Sequence, residues 1–185
     1  MKIFTARESK LFPKNNLMKH LKLINPENVS EEEVESYRLR EAARAIVFDE
    51  DKKIALLHVK KEHYYKLPGG GMEDGEDKMK ALERECQEEI GCNVEVVSEV
   101  GSIVEYRKIF TLKQTSYCYL AKVKGKKGTP DFTDDEKENG FEQVWLFYIE
   151  ALKAITGSKA TSVEGRSYIV PRDTAFLEEA KNYLT

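Results

Sequence analysis

No stretch of this 185-residue chain reaches the roughly 20 consecutive apolar residues that a membrane-spanning helix requires. The first residues, MKIFTARESKLFPKNN, also lack the apolar centre of a secretory signal. Cysteine is scarce. Cys86, Cys92 and Cys118 are odd in number and have no metal-like spacing, and the plain expectation is buried free thiols in a reducing cytoplasm. Histidine is equally thin: His20, His58 and His63 are scattered, no pair has ligand spacing, and none is expected to be catalytic. The single tryptophan, Trp145, sits in an apolar run and reads as core. No excess of positive charge exists either. A net charge of −3 and a pI near 5.8 give no general attraction for nucleic acid or an anionic membrane surface. Internal repeats and low-complexity segments are absent.

What remains is a chain with 41% hydrophobic and 34% charged residues, enough for one domain with a real core. Residues 1–36 are polar and broken by Pro13 and Pro26; they read as an extension packed on a main domain at 37–185. Within the extension, LMKHLKLI (17–24) predicts a short helix, and Ser30 with Glu33 three residues later is a capping-box pattern. From Arg40 onward, REAARAIVFDE and KKIALLHVK form two β-leaning runs around the turn DEDK. Residues 93–107, 110–125 and 141–149 predict three more strands, and 151–156 and 174–184 two helices. Strands around a central helix, with a helix after the last strand, suggest a mixed-sheet α/β sandwich.

The central helix is the informative one. In YKLPGGGMEDGEDKMKALERECQEEIGC (65–92), Met79, Leu82, Cys86 and Ile90 recur three and four apart, the buried stripe of an amphipathic helix. Glu85, Glu88 and Glu89 fall on an adjoining arc, and Gly91 suits a left-handed C-terminal cap. Like charges three and four apart destabilise a helix by a few tenths of a kcal/mol per pair. The cost grows if the site loses water, and Arg84 offsets only part of it. A hard divalent cation with several oxygen ligands would relieve the remainder.

A bare EEIG is ordinarily a solvated helix face, and GGG alone an ordinary loop. The whole arrangement is more specific: Gly70, five residues, Glu76, seven residues, then Arg84-Glu85-Cys86-Gln87-Glu88-Glu89-Ile90-Gly91-Cys92. It resembles the Nudix box, G-x5-E-x7-R-E-U-x-E-E-x-G-U with U a bulky apolar residue. Every fixed position matches, with cysteine, a small hydrophobe, at both U positions. The resemblance extends over about residues 40–156 and implies a Nudix-type α/β/α sandwich with a mixed β-sheet.

The resemblance also implies an activity: hydrolysis of a nucleoside diphosphate linked to another moiety, X, with Mg²⁺, or Mn²⁺ in its place. Glu85, Glu88 and Glu89 would be metal-binding carboxylates, and either Glu85 or Glu88 would orient or deprotonate the attacking water. Arg84 would hold the glutamates by charge-assisted hydrogen bonds, and Glu76 would support Arg84 or the metal's outer shell. Gly69, Gly70 and Gly71 would let backbone approach the phosphates. Related enzymes often add a carboxylate from a loop before a late strand; here Glu136 or Glu138 is available, and Glu136 is preferred as a further metal ligand.

Outside the motif, Arg44 on the first core strand is a candidate for contacting phosphate, with a surface salt bridge the plainer alternative. Tyr64 and Tyr65 precede the glycine turn and are candidates for stacking on a base, against simple packing. KVKGKKG (122–128) reads as a solvated basic hairpin tip. The expected function is a cytoplasmic diphosphatase for a small nucleotide, such as a damaged nucleoside triphosphate. ADP-ribose, nucleotide sugars and dinucleoside polyphosphates are alternatives, as is a non-catalytic nucleotide-binding regulatory module. Nucleic acid and membrane are not expected partners; a homodimer is compatible with the sequence.

Overall fold

The computed structural model describes residues 18–184. Its elements in chain order are β1 (His20–Ile24), α1 (Glu31–Val34), β2 (Arg38–Phe48), β3 (Lys53–Val59), β4 (Tyr64–Lys66), β5 (Gly69–Gly71) and α2 (Lys78–Ile90). There follow β6 (Val94–Arg107), β7 (Leu112–Val123), α3 (Asp134–Glu138), β8 (Phe141–Phe147), α4 (Tyr148–Thr156) and α5 (Val170–Leu184). The strands form one mixed sheet, ordered β1-β6-β7-β2-β3-β4, with β5 also paired to β2 and β8 to β3. The β1/β6 and β2/β7 pairs are parallel and the rest antiparallel.

The side-chain period of two assigns the faces of this sheet. On β2, Ala43, Ala45 and Val47 turn to one side and pack on Ala81, Leu82, Cys86 and Ile90 of α2. Ile46 turns to the other, with Ala151 and Ile155 of α4 and Phe176, Leu177 and Ala180 of α5. The result is a helix–sheet–helix sandwich. All three cysteines are buried and unbridged.

The stripe expected on α2 is buried at Leu82, Cys86 and Ile90, with Met79 packed at its margin. Full burial of Leu82 or Ile90 is worth about 1.5–3 kcal/mol each. The helix is capped at both ends. Asp77 accepts from the amides of Met79 and Lys80, and Gly91 closes the C-terminus at φ 62°. A β-carbon on Gly91 would also come within 2.6 Å of the Gly128 backbone.

One expectation is overturned. Residues 20–24, read as helical, form an edge strand parallel to β6. Leu21 packs against the core at Gly101, whereas His20, Lys22 and Leu23 are exposed. A short apolar run carries no local signal that separates strand from helix, and pairing with β6 decides it. By contrast, Ser30 does accept from the Glu33 amide and starts α1. Asp49 accepts from the Lys53 amide in the β2–β3 turn, with Lys52 at φ 64°.

Candidate active site

β2, β5 and α2 bring the motif residues together. The three glycines of β5 pair with Ala42, Ala43 and Arg44 of β2, and side chains are excluded there. Gly69 has φ 128°, and a β-carbon on it would lie 2.8 Å from the Arg44 Cα. A β-carbon on Gly70 would overlap the Glu85 carboxylate, and one on Gly71 would lie 2.6 Å from Arg40 Nη2. The motif glycines therefore let a glutamate and an arginine lie directly on the chain.

Arg84 organises the acidic side chains. Its Nε and Nη2 donate to the two oxygens of Glu76 at 2.9 and 3.0 Å. Nη1 donates to Glu85 at 2.9 Å and to Glu88 at 3.2 Å, and Nη2 also reaches the Gly71 carbonyl at 3.0 Å. This planar group makes five charge-assisted contacts, one to the glycine strand, two to Glu76 ahead of the helix and two within α2. The hydrogen bonds to Glu76, first among several causes, push the Arg84 pKa up, and Arg84 in turn holds the Glu76 carboxyl below its usual range.

Glu89 faces inward and is 2% exposed. Lys66 Nζ donates to it at 2.7 Å and the Gly69 amide at 2.6 Å. Burial nevertheless raises its pKa; Lys66 opposes the rise and the nearby Glu85 adds to it. Lys66 is a partner that the sequence reading missed. The acidic arc is thus partly neutralised from two sides, by Arg84 and by Lys66, which is more compensation than Arg84 alone was credited with. Among the described residues, no three His, Cys, Asp or Glu side chains already close on one point as a metal cage. The donors present are carboxylate oxygens, the type a hard divalent cation takes. The buried, proton-seeking Glu89 beside Glu85 fits such an ion, as does the close approach of Glu85 to the Gly70 backbone.

Glu85, Glu89, Lys66 and Gly69–Gly71 line one cleft of about 330 Å³, together with Glu136, Glu164, Tyr64, Ile169 and four arginines, whereas Glu76, Arg84 and Glu88 lie outside its lining. Glu136 stands at the cleft, and its carboxylate also accepts from the backbone and hydroxyl of Thr133, capping α3. Glu138 is instead exposed and pairs with Lys61 at 3.6 Å. Tyr64 lines the cleft but is only 6% exposed, packed with Val59 and Ile169. Tyr65 stacks on His58 with ring centres 4.3 Å apart. No histidine lines the cleft. The basic tip at 122–128 is exposed except at Val123, and within it Lys127 pairs with Asp49 and lies 3.6 Å over Trp145.

Arg44 is buried on the α5 side of β2, joined there by residues that local reading missed. Across the strands, Arg40 stands opposite Gln114, which stands opposite Glu105. Arg40 donates to Gln114 at 3.0 Å, and Gln114 to Glu105 at 2.7 Å. Arg107 pairs with Glu105 at 2.9 Å and with Glu164 at 2.6 Å. From α5, Arg172 pairs with Asp173 at 2.7 Å, and Asp173 accepts from the Leu67 amide at 2.8 Å. Burial first, then Arg172, lowers the Arg44 pKa to about 10. Burial opposes ionisation of Glu105, but Arg172 and Arg107 outweigh it and hold its carboxyl below the ordinary value. The available signal was charge inside apolar elements: Glu105 and Arg107 ending a strand, and Arg172-Asp173 just after Pro171 in a helix.

The NUDIX domain family matches residues 38–165 of the chain. Among solved structures, a NUDIX hydrolase from Nitrosomonas europaea superposes with a TM-score of 0.60 at 15% identity, covering 79% of this chain and 90% of that one. The E. coli ORF135 protein gives 0.54 at 22% identity, with 80% and 92% covered. A UDP-X diphosphatase gives 0.54 at 16% identity, with 84% and 73% covered. At these identities the likeness is one of fold. No curated protein matches the chain significantly. The family match spans well over half of the chain and includes every residue that Arg84 ties together, so the chain belongs to the NUDIX family and is a Nudix pyrophosphohydrolase.

Proposed function

We propose that this cleft hydrolyses the pyrophosphate linkage of a nucleoside diphosphate–X, most plainly a small nucleotide such as a damaged nucleoside triphosphate, with Mg²⁺ or Mn²⁺. The observation that carries the reading is the position of Glu85, set between the Gly70 backbone and Arg84 at the wall of the cleft that Glu89 also lines. Glu85, Glu88 and Glu89 would hold the cation, with Glu136 as a further oxygen donor. A bound divalent ion supplies neutralisation of phosphate charge and a more acidic water.

The remaining work belongs to the chain. Arg84, itself anchored by Glu76, fixes the glutamates' direction before substrate arrives, so less ordering is required on binding. Gly69–Gly71 line the cleft without side chains of their own, with Glu85 against Gly70 and Arg40 against Gly71. Glu85 or Glu88 takes the proton of the attacking water. Arg44 meets a phosphate oxygen, and Tyr64 supports the wall. We place this activity in the cytoplasm, in a domain running from residue 37 with the preceding strand as an extension. No helix among the described residues is long and apolar enough to cross a membrane.

Product formation over a nucleotide panel, with and without Mg²⁺, tests the reading: a nucleoside monophosphate appears with pyrophosphate from a triphosphate and with a sugar phosphate from a nucleotide sugar. Metal-dependent turnover of at least one substrate, lost in Glu88→Gln, supports it. Equal turnover by wild type and Glu88→Gln across the panel defeats the catalytic assignment.

A second reading, cleavage of nucleotide sugars, draws on the similarity to the UDP-X diphosphatase. The same panel separates the two by kcat/KM.

A further inference from the structure

The cleft holds four arginines outside the motif, of which the reaction described above uses Arg44 alone. Arg40, Arg44, Arg107 and Arg172 line the same cavity as Glu85 and Glu89. Their local counter-charges are Glu105, Asp173 and Glu164, and these are unevenly shared. Glu105 serves Arg107 and, at 3.7 Å, Arg172; Asp173 serves Arg172; Glu164 serves Arg107. Among the described residues, neither Arg40 nor Arg44 has a carboxylate within ion-pair distance.

Among the described residues, Arg44 Nε and Arg107 Nε are buried with no partner, and Arg172 Nη1 is buried with no hydrogen bond and only the 3.7 Å approach of Glu105. The three side chains are 6%, 2% and 1% exposed. Buried donors are ordinarily satisfied, and an orphan of this kind asks for a ligand. The forked guanidinium matches phosphate geometry better than any other side chain. Apolar surface is meanwhile scarce: Tyr64 and Ile169 are the apolar side chains of the lining, and both are buried. A cleft so furnished holds a compact anion and offers no broad face to a neutral ring.

We propose that Arg40, Arg44, Arg107 and Arg172 form a subsite for a phosphate group carried by X, so that the preferred substrate is a nucleoside diphosphate whose leaving half is itself phosphorylated. This rests on the hydrolase reading above and narrows its substrate class. Glu164 is the exposed member of the set, with 45% of its side chain accessible, and it occupies Arg107 at the cleft. It therefore competes with an incoming phosphate, and its removal strengthens anion binding.

The test separates binding from hydrolysis. Titration of the full chain in EDTA, at low salt, uses ribose 5-phosphate and ribose as probes, followed by calorimetry or NMR. Saturable binding of ribose 5-phosphate and none of ribose is expected, weakened at least fivefold by Arg44→Gln or Arg40→Gln and tightened by Glu164→Gln. Arg40 is half-buried, so Arg40→Gln still reads the subsite if Arg44→Gln does not fold. No saturable binding, or equal affinity in wild type and Arg40→Gln, overturns the subsite even if the enzyme hydrolyses nucleotides. In turnover, kcat/KM for ADP-ribose is compared with that for its ribose-phosphorylated derivative. A preference of tenfold or more for the phosphorylated substrate that collapses in Arg40→Gln is expected. Equal kcat/KM values in wild type also overturn the proposal. Absence of Mg²⁺-dependent turnover on every substrate, with ribose 5-phosphate still bound, would instead refute the hydrolase reading.

Discussion

A β-carbon on Gly70 would fall on the carboxylate of Glu85. The two residues lie 15 positions apart, on a strand and on the helix that follows it, yet one exists without a side chain so that the other can lie against its backbone. Gly70→Ala therefore acts on function more than on folding, because the colliding atoms are the far end of a flexible side chain. We expect kcat to fall at least tenfold, about 1.4 kcal/mol in barrier, with a melting temperature close to that of wild type. A variant that melts far lower, or that keeps full kcat, would contradict this relationship.

Glu85→Gln and Glu89→Gln keep shape and remove charge. Each is expected to lower turnover at least tenfold at saturating Mg²⁺. Unchanged rates would remove that residue from the site.

Lys66 is the partner of a carboxylate that has almost no contact with water. Lys66→Met leaves Glu89 with the Gly69 amide as its remaining donor. Stranding a buried charge in this way costs about 3 kcal/mol, measurable by urea unfolding in EDTA. If the cation sits at Glu89, Mg²⁺ should restore more stability to this variant than to wild type. An identical Mg²⁺ increment in both proteins would place the ion elsewhere.

Acid stability follows from Glu105, whose carboxyl is held below its ordinary 4.5 despite burial. Since the unfolded chain binds the proton more readily than the native one, stability rises with pH in this window. The contribution is complete above about pH 4.5 and disappears as pH falls through the lower native value. Unfolding free energies measured from pH 7 to pH 3 should fall more steeply for wild type than for Glu105→Gln, although the variant is less stable at pH 7. Parallel curves would show that Glu105 is not the group responsible.

The absence of histidine from the cleft lining bears on catalysis. Activity is expected to climb into the alkaline range, and His58→Gln and His63→Gln should leave the pH–rate profile where it is. A bell near neutrality, abolished by either change, would contradict the glutamate mechanism.

Legibility in the sequence followed the range of the forces involved. The helix from Lys78 to Ile90 was readable in nearly every detail because its stripe, its αL cap and its acidic arc are set by residues within four positions of one another. The strand at His20–Ile24 was misread because partnership with Val104 and its neighbours, some 80 residues away, decides its form. The arginine group was invisible for the same reason. Arg40 and Arg44, Arg107, and Arg172 come from three distant segments, and only the stacking of β6, β7, β2 and α5 makes them neighbours. Lys66 looked like an ordinary charged residue until the fold placed Glu89 against it.

Crystals of the full chain soaked in Mn²⁺, with anomalous scattering recorded at the manganese edge, test the central claim most directly. The account expects a manganese peak coordinated by carboxylate oxygens of Glu85, Glu88 and Glu89 at the wall of the cleft. Clear density for those side chains, still bound to Arg84 and Lys66 and with no peak among them at saturating Mn²⁺, would contradict it.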